Sequence, residues 1–140
     1  MEIKIKKTHP DTKLPTYAHP GDVGMDMYTV EEKTLQPGES HVFECGFAME
    51  FPIGYAAIVK DKGSISKMGL HTFGGVYDAG YRGSYNAGLI NHTKEPITIE
   101  KGQKVAQLVI YPVEIPTLTE VDELSESSRG DGKFGSTGKF

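Results

Sequence analysis

Apolar residues along this chain recur at every second position in short bursts and do not keep the three-and-four spacing of a helix. In "MEIKIKK", Met1, Ile3 and Ile5 alternate with charged residues, which predicts a strand with those three side chains turned inward. "HVFECGFAMEF" and "GYAAIVK" are rich in β-branched and aromatic residues. "YNAGLIN", "PITIE" and "KVAQLVIYPV" follow, parted by the turn signals "QPGE", "NHTKEP" and "EKGQ". No window keeps a helical stripe for ten residues, and only "GSISKMG", short and glycine-bounded, predicts a helical turn. Strands at spacings of about 8–12 residues, with 17 glycines and 8 prolines between them, predict one all-β sandwich or barrel-like domain.

That pattern stops near Pro116. The core is expected over residues 1–116 and an arm over 117–140, beginning with the acidic "TLTEVDELSESS" and ending on "RGDGKFGSTGKF". The last twelve residues carry four glycines and no aliphatic side chain, so they cannot bury enough apolar surface to offset their own ordering entropy. A frayed tail and a segment that orders on a ligand both fit that composition. The Arg, Phe and Gly-Ser-Thr-Gly run supply the parts of an anion and ring binder.

Composition narrows the partners. The chain has 140 residues and a net charge of −4 without a Lys/Arg cluster, which argues against a nucleic-acid polymer but permits a small anionic ligand. No run approaches the length of a membrane span, and the N-terminus lacks an apolar leader core, so a soluble, cytoplasmic protein is expected. Cys45 is alone, with a buried small hydrophobe as its expected state, and the five histidines lie ten or more residues apart. Neither supplies a zinc set.

Several stretches could carry chemistry. In "GGVYDAGYRGSYNAGLIN", Asp78 sits among glycines at 74, 75, 80 and 83; this is ordinary turn chemistry or a carboxylate aimed at a ligand. Gly74-Gly75 permits a close backbone approach. "DKGSISKMGL" places Lys62, Gly63, Ser64, Ser66 and Lys67 on a tight loop, either a phosphate cradle or a helix capped by Ser64. Gln107, among apolar neighbours in "GQKVAQLV", must face solvent or point into a site. Asp26 in "GMDMY" faces one side of a strand.

Taken in order, "GMDMY", "KGSISKMGL", "GGVYDAGYRG", "GQKVAQL" and "RGDGKFGSTG" resemble the five motifs of the trimeric deoxyuridine triphosphatases (dUTPases), from Gly24 to Gly138. The resemblance implies a jelly-roll-like β fold, a homotrimer with shared active sites, and Mg²⁺-dependent hydrolysis of dUTP to dUMP and pyrophosphate. That reaction limits uracil in DNA and supplies dUMP. By motif position, Asp78 would hold and deprotonate the water that attacks the α-phosphorus. Tyr81 would pack on the deoxyribose. Main-chain groups of Thr72, Gly75, Val76 and Asn86 would pair with the uracil edge. Lys62, Gly63, Ser64 and Gln107 would contact phosphates, and Asp26 would order water on a metal bridged by the phosphates. Arg129 would clamp phosphate, Phe134 would stack on uracil, and the amides around Gly135 and Ser136 would wrap the γ-phosphate.

The chain departs from the family pattern at several places. Motif two carries Lys62 for the usual Arg and is one residue short, which leaves Ser64 and Ser66 both open as the phosphate contact. Tyr77 stands where a small aliphatic is usual, Ser84 where a longer polar residue is common, and Lys133 where a glycine is usual. The short motif two is closer to the deoxycytidine triphosphate deaminases, which share the fold. Between Asp78 and Glu95, however, no carboxylate is present to shuttle protons at a base. A deaminase-like enzyme and a catalytically idle nucleotide- or partner-binding protein are the alternatives to hydrolysis.

Overall fold

A computed structural model describes residues 1–140. Its eleven strands alternate with turns, and its single helix, α1 (Gly63–Lys67), is one short turn where "GSISKMG" predicts it. A four-stranded antiparallel sheet has the order β2 (Gly24–Tyr28), β11 (Lys104–Pro112), β6 (Tyr55–Lys60), β8 (Val76–Asp78). A three-stranded sheet runs β4 (Ser40–Glu44), β9 (Asn86–Asn91), β7 (Leu70–Phe73). Two pairs complete the body: β1 (Lys4–Lys7) with β5 (Phe47–Glu50), and β10 (Ile97–Ile99) with β3 (Lys33–Leu35).

Alternate residues of these strands meet in one core that includes Met27, Phe43, Phe47, Tyr85, Leu89 and Leu108. Burying an aromatic or aliphatic side chain of this size contributes about 1.5–3 kcal/mol. Cys45 lies inside, where burial pushes its thiol up to about 12, so it packs as a small hydrophobe with little thiolate character. Gly46 (φ 72°) breaks "HVFECGFAMEF" into β4 and β5.

The N-terminal alternation needs correction. Ile3 packs against the core, but Met1 and Ile5 are exposed, as is every residue of β1. The strand pairs only with β5, so its outward face has no second layer to bury against.

At the other end, the last hydrogen bond from the chain's C-terminal stretch to the body is Val113 N–H to Gly54 O at 2.8 Å. Beyond it the backbone forms only its own turns, such as Gly132 N–H to Arg129 O (3.1 Å) and Ser136 N–H to Lys133 O (3.1 Å). Phe134 is 100% exposed.

Candidate active site

Two separate corners of the four-stranded sheet gather the candidate residues. The first surrounds Asp78. Gly74 and Gly75 both take positive φ (67° and 102°), turning β7 into β8. A Cβ at Gly75 would lie 2.7 Å from that of Val59, so the close approach permitted by these glycines is made to the protein's own β6. The Gly75 carbonyl accepts the Val59 N–H at 2.7 Å, which fixes the hairpin on the sheet. A cleft of about 300 Å³ results, lined by Gly75, Val76, Tyr77, Asp78, Tyr81 and Asn86. The Asp78 carboxylate is exposed there and joins none of the chain's ion pairs, while its carbonyl accepts the Tyr81 N–H at 3.0 Å.

Two tyrosines line this cleft, Tyr77 and Tyr81, and the fully buried Tyr85 backs them. Tyr77 stacks on Tyr85 with ring centroids 4.0 Å apart and planes at 15°, and Tyr81 tilts against Tyr77 at 5.4 Å. Burial pushes the Tyr85 phenol up to about 12. The Tyr81 hydroxyl donates to Ser84 O at 3.2 Å. Ser84 in turn donates to the Glu44 carboxylate and meets the Thr8 hydroxyl at 2.7 Å, so the loop after Asp78 is held from outside the motif.

The second corner is built on charge. Asp26 is only 3% exposed, and its two oxygens face Lys62 Nζ and Lys104 Nζ, each at 2.6 Å. Burial acts to raise its pKa, but the two ammoniums outweigh that and hold the carboxyl below its ordinary range. Two cations on one anion leave local positive charge, suited to attracting a polyphosphate. Gln107 lies opposite Asp26 on one side and Lys60 on the other. Its Nε2 donates to Asp61 O at 2.8 Å, and its Oε1 covers Gly24, where a Cβ would come within 2.2 Å. Gln107 is therefore satisfied by the protein and ties the Lys62–Ser64 loop to β11. Asp61 accepts the Thr72 N–H (2.7 Å) and hydroxyl (2.6 Å) and pairs with His71, so the Thr72 amide is spent inside this corner. Ser64 does not cap α1; Lys62 occupies that position without a side-chain cap, and Ser64 and Ser66 are both exposed.

A divalent cation has no cradle here. No three His, Cys, Asp or Glu side chains cluster anywhere in the chain, and the one buried carboxylate near the phosphate candidates already faces two ammoniums. A protein-ligated magnesium does not fit these residues. In the nucleotide-free chain Asp26 anchors two lysines.

The strand registers fix the distance between the corners. Asp78 pairs with Ala56, whereas Asp26 reaches Lys60 through Gln107. Four residues along β6 are roughly 13 Å, and three strand spacings are roughly 14 Å. Residues four apart on one strand share a face. Between the corners, on that face, lie Val76, Ile58, Val109 and Tyr111; the last three line a second cleft of about 530 Å³ together with Val23, Lys60, Thr72 and Gln107, and Val76 lies close beside it. Arg129, Phe134, Gly135 and Ser136 join neither corner. Sequence reasoning passed over Lys104, Asp61 and Glu44, whose partners lie on other strands and leave no signal in local spacing.

Comparison with known proteins identifies the class. The dUTPase family model matches residues 11–138. The deoxyuridine 5′-triphosphate nucleotidohydrolase of Thermobifida fusca is 44% identical over 99% of this chain and 79% of the relative. That of Alkaliphilus metalliredigens is 43% identical over 99% of this chain and 98% of the relative. Among solved structures, a G164S mutant of the dUTPase of Staphylococcus bacteriophage 80alpha with dUpNHpp superposes with a TM-score of 0.90 at 29% identity, covering 99% of both chains. The fold is thus the jelly-roll β fold, and the protein is a nucleotide hydrolase. Within that class, the chain belongs to the dUTPase family.

Proposed function

We propose that this protein hydrolyses dUTP to dUMP and pyrophosphate by attack of water on the α-phosphorus, with Asp78 as the base. The observation that carries this reading is an exposed carboxylate, in no ion pair, at the mouth of a cleft lined by Gly75, Val76, Tyr77, Tyr81 and Asn86. Water is a poor nucleophile. A carboxylate within hydrogen-bond reach orients it and takes its proton. Tyr81, held through Ser84, is the flat wall on which deoxyribose packs, leaving no room for a 2′-hydroxyl. Gly75, Val76 and Asn86 present the groups that read uracil.

Phosphates are met at the charged corner. Lys62 and Lys104 supply the field, Gly63 and Ser64 supply N–H and hydroxyl donors, and Gln107 and Thr72 hold that loop in place through Asp61. Any magnesium would have to travel on the oxygens of the triphosphate, where it would neutralise phosphate charge. Arg129, Phe134, Gly135 and Ser136 close over the bound nucleotide, Phe134 on the base and the glycine-flanked amides on the γ-phosphate. Stacking of that kind contributes about 1–3 kcal/mol per base.

One chain does not complete this site. The separation of roughly 13 Å by 14 Å is too large for Asp78 and the charged corner to meet one α-phosphorus. The uncovered apolar face between them favours cover by another copy, and a homotrimer sharing its sites satisfies both observations. The test is pyrophosphate release from dUTP, dCTP, dTTP and UTP with Mg²⁺. Turnover of dUTP alone is expected. Ammonia release from dCTP would support the deaminase reading, and tight binding without turnover an idle binding protein.

A further inference from the structure

We propose that Tyr77 is a specificity-positioning residue that acts through Asn86: its hydroxyl engages three of the four hydrogen-bonding groups of Asn86 and leaves the side-chain NH₂ to read the base. This rests on the reading of the Asp78 cleft as the base pocket. Strand β7 ends with Phe73 opposite Gly88, so the main chain of Asn86, two residues beyond, has no strand partner on that side. The Tyr77 phenol fills the gap. It accepts the Asn86 N–H at 3.0 Å and sits 3.1 Å from Asn86 O and 3.0 Å from Asn86 Oδ1, between which its single proton is shared.

The consequence is a sign. With Oδ1 turned toward the phenol, Asn86 shows the cleft two donors and no acceptor. A base with a carbonyl at its 4-position, such as uracil, can receive them, whereas the 4-amino group of cytosine presents a donor to a donor. A flipped amide would bring a second donor onto a phenolic oxygen that already accepts one. The main-chain N–H and C=O of Asn86, expected from the sequence to meet the uracil edge, are occupied by Tyr77. Reading of the base by Asn86 passes to the side chain. The stack of Tyr77 on Tyr85 at 4.0 Å holds the phenol in place and survives loss of the hydroxyl.

Tyr77→Phe is the test, read by melting temperature, steady-state kinetics on dUTP, and calorimetric titration of dUMP and dCMP. The expected result is a melting temperature a few degrees lower with folding retained, KM for dUTP raised by a larger factor than kcat is lowered, and a preference for dUMP over dCMP reduced about tenfold, the worth of one hydrogen bond. Adding Asn86→Ala to Tyr77→Phe should reduce the preference no further, because both act through one amide. An unchanged preference, or equal weakening of dUMP and dCMP, would overturn the proposal. The titrations need no turnover, so a wild-type protein inert toward dUTP would undo the hydrolase reading while leaving the tyrosine question answered.

Discussion

At one corner of the four-stranded sheet Asp78 holds a free carboxylate beside three packed tyrosines. At the opposite corner the carboxylate of Asp26 is buried and faces two lysines. The same functional group is thus left available in one place and consumed in the other. Burial decides the difference: an exposed carboxylate keeps its hydration, while a buried one must be matched by charge. One corner can accept a proton. The other can only organise positive charge around an anion.

The largest effect should come from the free carboxylate. Asp78→Asn is expected to fold and bind nucleotide as before while kcat falls by ~10²–10⁴, the range for a positioned base. Kinetics at saturating dUTP read this, and unchanged turnover would equate the two corners chemically. Removal of residues 129–140 comes next. The melting temperature of the nucleotide-free protein should hardly move, since Phe134 is fully exposed and the tail bonds only to itself. Turnover should fall roughly 5- to 150-fold, the equivalent of the lost stacking. A collapse of stability would make the tail structural.

Asp26→Asn leaves two facing ammoniums unmatched. Breaking a buried pair costs about 3–5 kcal/mol, and since both lysines are partly exposed, about 2 kcal/mol is expected from urea unfolding. The pH dependence sharpens this. The folded-state pKa of Asp26 is held below its ordinary value of 3.8, so its stabilisation is complete above that value and is lost as pH falls through the folded pKa. Wild type should therefore lose stability below about pH 4, and the Asn variant should lose less over the same window. Identical acid unfolding curves would mean the two lysines do not bind Asp26. The smallest effect separates the two hydroxyls of α1: Ser64→Ala should raise KM for dUTP severalfold and Ser66→Ala should not, because Ser64 lies nearer the Lys62 end of the loop.

How much of this could be read along the chain depended on range. "GMDMY" becomes β2 after the Pro20-Gly21 turn, and "GSISKMG" becomes α1 between its two glycines, so both are set by local residues. "MEIKIKK" misleads because alternation states which side chains share a face and says nothing of what covers that face. Gly74-Gly75 announced a close approach, but that the neighbour is Val59 depends on how β8 pairs with β6. Ser64 looked like a cap, yet the helix starts two residues too early for it, with Lys62 in the cap position. The join of Asp26 to Lys62 and Lys104 spans three elements, and no periodicity reports it. Motif resemblance proposes the candidate site residues; only the registers reveal that one chain keeps the two groups apart.

That separation is tested most directly by mixing two inactive variants. Asp78→Asn and Lys62→Gln, each damaged at one corner, are unfolded, combined in equal amounts and refolded together. If each site draws its two corners from different copies, about a quarter of wild-type dUTP turnover should return, the chance that two independently drawn chains each bring the intact half. Activity no greater than that of the separate variants would mean that both corners of one site come from one chain, contradicting the account.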